Sequence, residues 1–254
     1  MEVQIDAAKL DHPRTRTGKV AVLPIRGPIA QHDDILLRMF GGTSTEKFGQ
    51  VFDQVLANRD VDHVVLDIES PGGSVYGVQE LADKIHAGRQ RKNIFAAANS
   101  YVFSAAYWLG SQASEFAVTP SGEVGSIGVI AVHEDWSEAL AAAGVKPTLI
   151  TAGRHKGEGH PFAPLSDEDR EAIQESVNDY YDDFTKAVAR GRGVTQSAVK
   201  SGFGEGRAVG ARAALAEGMV DRISSLEGVL ASLGVRQTSA TRAAERARLA
   251  EIDA

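Results

Sequence analysis

Apolar runs alternate with one-faced helical stripes along most of this sequence, and no other feature constrains its fold as strongly. Short, fully apolar runs predict strands buried on both faces of a sheet. Stripes with apolar residues every three or four positions predict helices that cover such a sheet. The alternation therefore predicts an α/β domain with a mainly parallel sheet flanked by helices. The predicted strands are 19–25, 63–68, 93–98, 115–119, 124–132 and 146–150, with a last strand near 219–221.

Length and charge narrow the classes of protein to which this chain can belong. Its 254 residues suit one large domain with appendages, which we place at 19–233, after an N-terminal arm (1–18) and before a charged tail (234–254). The net charge of −7 argues against nucleic-acid binding. The absence of cysteine excludes disulfides and thiolate metal sites. No N-terminal stretch is apolar enough for a membrane anchor, so we expect a cytoplasmic protein.

Residues 30–42 carry more large apolar side chains than an exposed loop normally does. Ile35, Leu36, Leu37, Met39 and Phe40 all fall within this short segment. A cluster of this kind usually packs on a neighbouring surface. We expect that surface to belong to the same chain or to a second copy in an oligomer.

Ser104 lies where the predicted strand 93–98 gives way, after a break at 99–100, to a helix that contains Tyr107 and Trp108. The free backbone N–H groups and the dipole at a helix start favour negative charge. A serine at that place can act as a nucleophile that becomes an acyl ester. Taken alone, a serine at this place is more often an ordinary helix N-cap.

Two glycine-bearing stretches can complete a site around Ser104. Gly72 and Gly73 follow a buried strand, and their N–H groups together with that of Ala105 can form an oxyanion hole. The stretch 125–129 has an edge to which an extended peptide can add as an extra strand. An ordinary strand-to-helix turn and a bulged core strand are the simpler interpretations of these two stretches.

A serine nucleophile needs a base, and the sequence offers two kinds of residue. The glycine-rich loop 152–157 carries Lys156, and a lysine acts as a base only when burial or nearby positive charge favours its neutral form. His133 is the alternative base, as in a Ser-His-Asp protease. A lysine in such a loop is often merely solvated. No HExxH pattern is present, so we predict no metal site.

The order of these pieces resembles the S49 peptidases, the serine proteases similar to signal peptide peptidase A. The resemblance covers roughly residues 19–233, and the separation of 52 residues between Ser104 and Lys156 (156 − 104) is similar to that of the family. The matching stretches are Ser70-Pro71-Gly72-Gly73, Ser104-Ala105-Ala106-Tyr107-Trp108, Gly125-Ser126-Ile127-Gly128-Val129 and Gly153-Arg154-His155-Lys156.

The resemblance implies a ClpP/crotonase-like fold and a Ser–Lys dyad without a cofactor. Ser104 is then the nucleophile and Lys156 the general base, preferred over His133. The amides of Gly72 and Ala105 form the oxyanion hole, with Gly73 as the next candidate. Substrate would pair with the backbone after Gly73, from Ser74 onward, and along the stretch Ser126, Ile127, Gly128 and Val129.

Within the family, this chain is most similar to the phage and prophage head-maturation proteases. Arg26-Gly27-Pro28-Ile29 and the segments 40–46, 132–135 and 161–166 carry that similarity. It implies an ATP-independent endopeptidase that cleaves scaffold, portal or coat precursors, in the host cytoplasm or the prohead interior. Family members of this size form homo-oligomeric rings, and in some of them the neighbouring subunit supplies the lysine.

Three alternatives remain open at this stage. One is a cytoplasmic S49 peptidase of bacterial type that degrades signal peptides or other proteins. A second is a crotonase-like acyl-CoA enzyme on the same fold, which typically needs carboxylates in place of a Ser–Lys pair. A third is a non-catalytic assembly protein, against which the presence of both Ser104 and Lys156 argues.

Overall fold

The computed structural model describes residues 19–235, so the N-terminal arm and nearly all of the charged tail lie outside it. No helix in that range is both long and apolar enough to cross a membrane. The strands are β1 (Lys19–Arg26), β2 (Ile29–Ala30), β3 (Thr43–Ser44), β4 (Val61–Ser70), β5 (Asn93–Phe103), β6 (Glu115–Val118), β7 (Glu123–Gly125), β8 (Ala208–Gly210) and β9 (Arg222–Ile223). The α-helices are α1 (Ile35–Met39), α2 (Thr45–Ala57), α3 (Val78–Gly88), α4 (Ala105–Gly110), α5 (Ser137–Ala142), α6 (Asp167–Arg192), α7 (Gln196–Ser201), α8 (Ala211–Ala216) and α9 (Leu226–Ser232).

The chain divides into two compact units, and the larger one contains a seven-stranded sheet. Its strand order is β1-β4-β5-β6-β9, all parallel, with β7 also pairing with β5. Only the β7–β8 pair is antiparallel among the described strands of this sheet. Residues 64–68 of β4, which lies between β1 and β5, are all buried, as expected for a central strand of a parallel sheet, whereas β1 is at the end of the strand order. The mainly parallel sheet flanked by helices agrees with the prediction.

Helices cover both faces of this sheet. On one face, Gly88 of α3 lies against Phe52 and Ile94, and Gly110 of α4 lies against Ile68 and Phe116. A side chain at Gly110 would collide with its neighbours, since an added Cβ would lie 2.9 Å from the Phe116 ring. On the other face, Val229 of α9 packs on a buried cluster formed by Val20, Val65, Ala97 and Ala117.

The C-terminal end of α6 packs against the C-terminal end of α4, the helix that follows Ser104. A Cβ at Gly191 would lie 2.2 Å from the Ser111 carbonyl oxygen, so only glycine permits this approach. The Gln112 side chain donates to the Ala187 carbonyl (3.0 Å) and accepts from Arg190 (2.9 Å). These contacts hold the buried α4 in place from its far end.

The second unit, residues 128–184, contains α5 and the first part of α6. Its loops are tied by the Trp136 N–H, which donates to the Pro161 carbonyl (2.8 Å), and by the Gly159 N–H, which donates to Asp169 (3.2 Å). Within this fully described range only Phe184 is buried. Ile130 is 87% exposed and Ile150 is 93% exposed.

Three local predictions are wrong. Residues 99–100 do not break the strand, because β5 continues to Phe103, where it pairs with Gly125 of β7. The predicted strand 124–132 shrinks to β7, since Gly125 (φ 115°) and Ser126 (φ 52°) leave the extended conformation. Residues 146–150 form no strand in the described structure. The apolar residues there predicted burial, but no sheet partner within residues 19–235 covers them.

Candidate active site

Ser104 occupies the junction between β5 and α4 in an unusual backbone conformation. Its φ is 52° and its ψ is −125°, which costs a non-glycine residue about 1–2 kcal/mol. Its side chain makes no capping hydrogen bond to the helix. A sharp, strained strand-to-helix turn that presents a free hydroxyl is the geometry of a nucleophile elbow. The structure therefore does not support the ordinary N-cap interpretation of Ser104.

The surrounding backbone holds this conformation in place. The Ser104 N–H donates to the Gly125 carbonyl at 2.8 Å, which links the turn to the end of β7. The Ser104 carbonyl accepts from the Trp108 N–H at 3.0 Å, which begins α4. Every residue of α4 is buried, so the helix cannot shift to relax the turn. The strain at Ser104 is thus supported by packing on both sides.

The glycine turn after β4 lies directly beside Ser104, as the sequence predicted. Gly72 has a φ of 95°, and a Cβ placed there would lie 2.7 Å from the Ser104 Cβ and 3.1 Å from the Ala105 nitrogen. Only glycine tolerates this conformation and this approach. The structure thus brings Gly72, Ser104 and Ala105 together.

The segment around Gly73 is hydrogen-bonded to β2 on the side opposite to the Gly73 N–H. The Ile29 N–H donates to the Gly72 carbonyl and the Ser74 N–H donates to the Ile29 carbonyl, both at 2.9 Å. In such a parallel bridge the N–H and C=O of the central residue point toward the opposite edge. The Gly73 amide therefore faces outward along an open edge, whereas the Gly72 N–H donates to the Ser70 hydroxyl at 3.1 Å.

The predicted substrate-binding residues differ in how their backbone groups are used. The Ser74 N–H donates to the Ile29 carbonyl, and the Ser126 N–H donates to the Arg207 carbonyl, both at 2.9 Å. Ile127 is buried. Gly128 and Val129 belong to the second unit. In the segment after β4, the backbone groups that face away from β2 are therefore those of Gly73. This is one residue before Ser74, where substrate pairing was predicted to begin.

The two candidate bases both lie in the second unit. Lys156 is exposed in a turn, and its N–H donates to the Gly153 carbonyl at 3.3 Å. His133 Nε2 lies 3.2 Å from the His160 carbonyl oxygen. The N-cap of α5 is Trp136.

One group of side chains has a geometry compatible with a metal ion. The ligand atoms of His155, Glu158 and Glu168 lie within 4.8 Å of one another. His155 Nδ1 also contacts the Glu158 carboxylate directly, and this contact accounts for the proximity of those two residues. This group does not follow the HExxH pattern; a His-x-x-Glu spacing at His155 and Glu158 is its local sequence signal.

Comparison with known proteins identifies the family. The sequence pattern described as "Peptidase family S49" matches residues 86–238, more than half of the chain. The chain belongs to peptidase family S49. It is 36% identical over 180 residues to the head-tail preconnector protein GP5 of Enterobacteria phage P21, an alignment covering 71% of this chain and 36% of that protein. It is 34% identical over 190 residues to the capsid assembly protease C of Escherichia phage lambda, covering 72% and 43%.

The fold prediction is confirmed in the same way. An S49 chain with a ClpP-like fold is expected to align with ClpP structures, and a mutant form of ClpP1 from Listeria monocytogenes aligns with a TM-score of 0.50. That alignment has 14% sequence identity and covers 82% of this chain and 94% of ClpP1. At this identity the likeness describes the fold alone. The S49 chain spans less than half the length of the two phage relatives.

Proposed function

We propose that this chain is an ATP-independent serine endopeptidase that uses Ser104 as its nucleophile. The observation that carries the proposal is the free hydroxyl of Ser104 on a strained turn, at the start of a buried helix and beside the Gly72 turn. Strain of this kind persists only where surrounding structure supports it, and it is concentrated at functional sites. Membership in a family of serine peptidases supports the same chemistry.

The oxyanion hole is best formed by the amides of Gly73 and Ala105. The Gly72 N–H is already engaged by the Ser70 hydroxyl, whereas the Gly73 N–H points to the open edge. The Ala105 nitrogen lies beside Gly72 at the start of α4, where the helix dipole favours negative charge. Two preorganised amides aimed at the developing oxyanion stabilise the transition state. We therefore prefer Gly73 to Gly72 as the second donor.

Lys156 is the proposed general base, in preference to His133. The Ser104 hydroxyl proton moves to neutral Lys156 as Oγ bonds to the substrate carbonyl carbon. The protonated lysine then gives that proton to the leaving amine, and the acyl ester remains on Ser104. Lys156 next takes a proton from a water molecule, whose oxygen attacks the ester carbon. The bond from that carbon to Ser104 Oγ then breaks, and Lys156 returns the proton to Oγ as the acid product leaves. His133 is less suited because its Nε2 already faces the His160 carbonyl.

We propose that Lys156 becomes functional only in a homo-oligomer. An ammonium group exposed to water stays charged, and a lysine base needs a desolvated or positively charged environment. Lys156 is exposed in this chain, and so are most apolar side chains of its unit. The exposed residues Ile35, Leu36, Met39 and Phe40 around α1 supply a further apolar surface. Contact with neighbouring subunits would cover such surfaces, as in a ring.

The proposed substrates are scaffold, portal or coat precursors of a phage capsid, cleaved in the host cytoplasm or the prohead interior. The two phage relatives, a head-tail preconnector protein and a capsid assembly protease, support this class. The outward edge at Gly73 can accept an extended peptide as an added strand. The side chains next to Ser104 in α4 are small and apolar, so we expect a small or apolar residue at the P1 position.

Incubation of the purified chain with its co-encoded capsid proteins tests this function. Mass spectrometry should show discrete cleavage products after small or apolar P1 residues, and none with Ser104→Ala. Ser121→Ala, which removes an exposed serine outside the site, is the matched control and should cleave normally. Casein digestion without selective capsid cleavage would favour the degradative alternative. Absence of any cleavage, together with no labelling of Ser104 by a fluorophosphonate, would contradict a serine peptidase.

Sedimentation velocity tests the oligomer. Ile150→Asp places a charge on an exposed apolar side chain, whereas Thr151→Asp adds the same charge at the next exposed position. We expect Ile150→Asp to lower both the sedimentation coefficient and the activity more than Thr151→Asp does. A fully active wild-type monomer would contradict the oligomer proposal.

A further inference from the structure

Ser70 is a fully buried serine that no step of the proposed mechanism uses. It is the last residue of β4 and has 0% of its surface exposed. Its hydroxyl donates to the Gly27 carbonyl at 2.6 Å and accepts from the Gly72 N–H at 3.1 Å. The regular pairing of β4 with β5 shifts register between Ile68 and Ser70, so the strand is leaving the ladder here.

The two hydrogen bonds join separate parts of the chain. Gly27 follows β1, 43 residues before Ser70, while Gly72 is the glycine beside Ser104. Through Ser70, the end of β1 is therefore tied to the turn that borders the nucleophile. The Gly72 N–H is not available to a substrate, because it already donates to the Ser70 hydroxyl.

The same turn is held from the other side by Ile29. Its N–H donates to the Gly72 carbonyl at 2.9 Å, so both polar groups of Gly72 are fixed. A planar trans peptide sets the direction of the next N–H opposite to that carbonyl. The Ile29 contact thus sets the direction of the Gly73 N–H, and the Ser70 contact holds the preceding Pro71–Gly72 peptide. Because both peptide planes that flank Gly72 are held, its φ and ψ are restrained.

We propose that Ser70 is a positioning residue that holds the Pro71–Gly72 peptide and thereby the turn at Gly72, so that the Gly73 amide and not the Gly72 amide faces the oxyanion. This inference rests on the proposed peptidase function. Without the Ser70 hydroxyl, the Gly72 N–H loses its acceptor and the flexible glycine pair gains alternative orientations. The transition state, which carries the oxyanion, would be affected more than the bound substrate.

The chain contains a matched control for a Ser70→Ala substitution. Ser111 is also fully buried, and its hydroxyl also makes two hydrogen bonds, donating to the Trp108 carbonyl (2.8 Å) and accepting from Gln112 (2.9 Å). It lies after α4, away from the glycine turn. Both substitutions remove a buried hydroxyl with similar partners, so they should lower the melting temperature similarly.

Peptide-cleavage kinetics on the full chain separate positioning from stability. We expect Ser70→Ala to lower kcat by about 10- to 100-fold with KM changed less than about 2-fold. Ser111→Ala should keep kcat within about 2-fold, and Ser70→Thr, which retains the hydroxyl, should recover part of the lost rate. An unchanged kcat in Ser70→Ala would overturn the inference, as would an equal fall in both alanine variants.

Hydrogen exchange provides a readout that does not depend on activity. In the Ser104→Ala background, Ser70→Ala should speed exchange of amides in residues 70–76, whereas Ser111→Ala should not. Unchanged exchange in that segment would overturn the positioning role even if kcat fell. If wild type cleaves nothing but the exchange difference is present, the proposed peptidase function fails while the structural link through Ser70 stands.

Discussion

The unit that carries Ser104 buries most of its large apolar side chains, with those around α1 as an exception, whereas Phe184 is the one buried residue of 128–184. Ile94 of β5 is fully buried, but Ile150 in the second unit is 93% exposed. Burial of an isoleucine side chain contributes about 1.5–3 kcal/mol, so the second unit lacks the main source of stability that the first one has. The proposed nucleophile therefore lies in a unit with its own buried core, and the proposed base lies in a unit with almost none.

The largest effect that this comparison predicts is at Ser104 itself. Ser104→Gly should lower peptidase activity by at least about 1000-fold, because the nucleophile is lost. The same change should raise the free energy of unfolding by about 1 kcal/mol, because glycine adopts a φ of 52° without strain. Cleavage assays and urea denaturation measure the two effects. A glycine variant that is both inactive and less stable would contradict a strained, supported turn.

A second test concerns the proposed base, which lies in the second unit. Lys156→Ala should abolish cleavage while leaving the melting temperature unchanged, since the side chain is exposed. His133→Ala should retain most activity. Mixing inactive Ser104→Ala and Lys156→Ala chains should restore part of the activity if the neighbouring subunit supplies the lysine. An active Lys156→Ala variant beside an inactive His133→Ala variant would instead assign the base to His133.

The same contrast explains what the sequence predicts well and what it does not. Buried strands such as β1 and β4 are recognisable because their pattern is local, and the sequence correctly places Ser104 at a strand–helix junction. The extension of β5 to Phe103 was missed because it depends on pairing with Gly125, which is remote in sequence. Ile130 and Ile150 have apolar side chains that predict a covering surface, but the pattern does not identify that surface.

The role of Ser70 was missed for a similar reason. Its position before Pro71 and Gly72 is visible in the sequence, but its hydrogen-bond acceptor, Gly27, is 43 residues away. Which of the two glycine amides faces the site depends on Ile29, another distant residue. The order of the motifs in the sequence therefore locates the glycine turn. The direction of its N–H groups depends on contacts that only the three-dimensional fold brings together.

Glycine substitutions compare packing in the two units directly. Gly191→Ala should lower the free energy of unfolding by about 3 kcal/mol, because its Cβ would lie 2.2 Å from the Ser111 carbonyl oxygen. That clash outweighs the gain of about 1 kcal/mol from replacing glycine in a helix. Gly144→Ala, with nothing within 4 Å and a φ of 72°, should cost only about 1 kcal/mol. Equal losses in urea denaturation would contradict the difference in packing between the units.

The smallest predicted effect is a pH dependence of the first unit's stability. Burial favours the protonated form of Asp221, but hydrogen bonds from Arg192 and the Phe116 N–H outweigh it and hold the pKa of this carboxyl below its usual value. A lowered pKa in the folded state contributes stability above the unfolded pKa of about 4, and this is lost as the pH falls below it. Asp221→Asn should therefore lower the melting temperature at pH 7 and have a progressively smaller effect below pH of about 4. Arg192 is nearly buried but Asp221 is partly exposed, so we expect a modest shift in the melting temperature. A difference in melting temperature between Asp221→Asn and the wild type that grows on acidification would contradict the lowered pKa of Asp221.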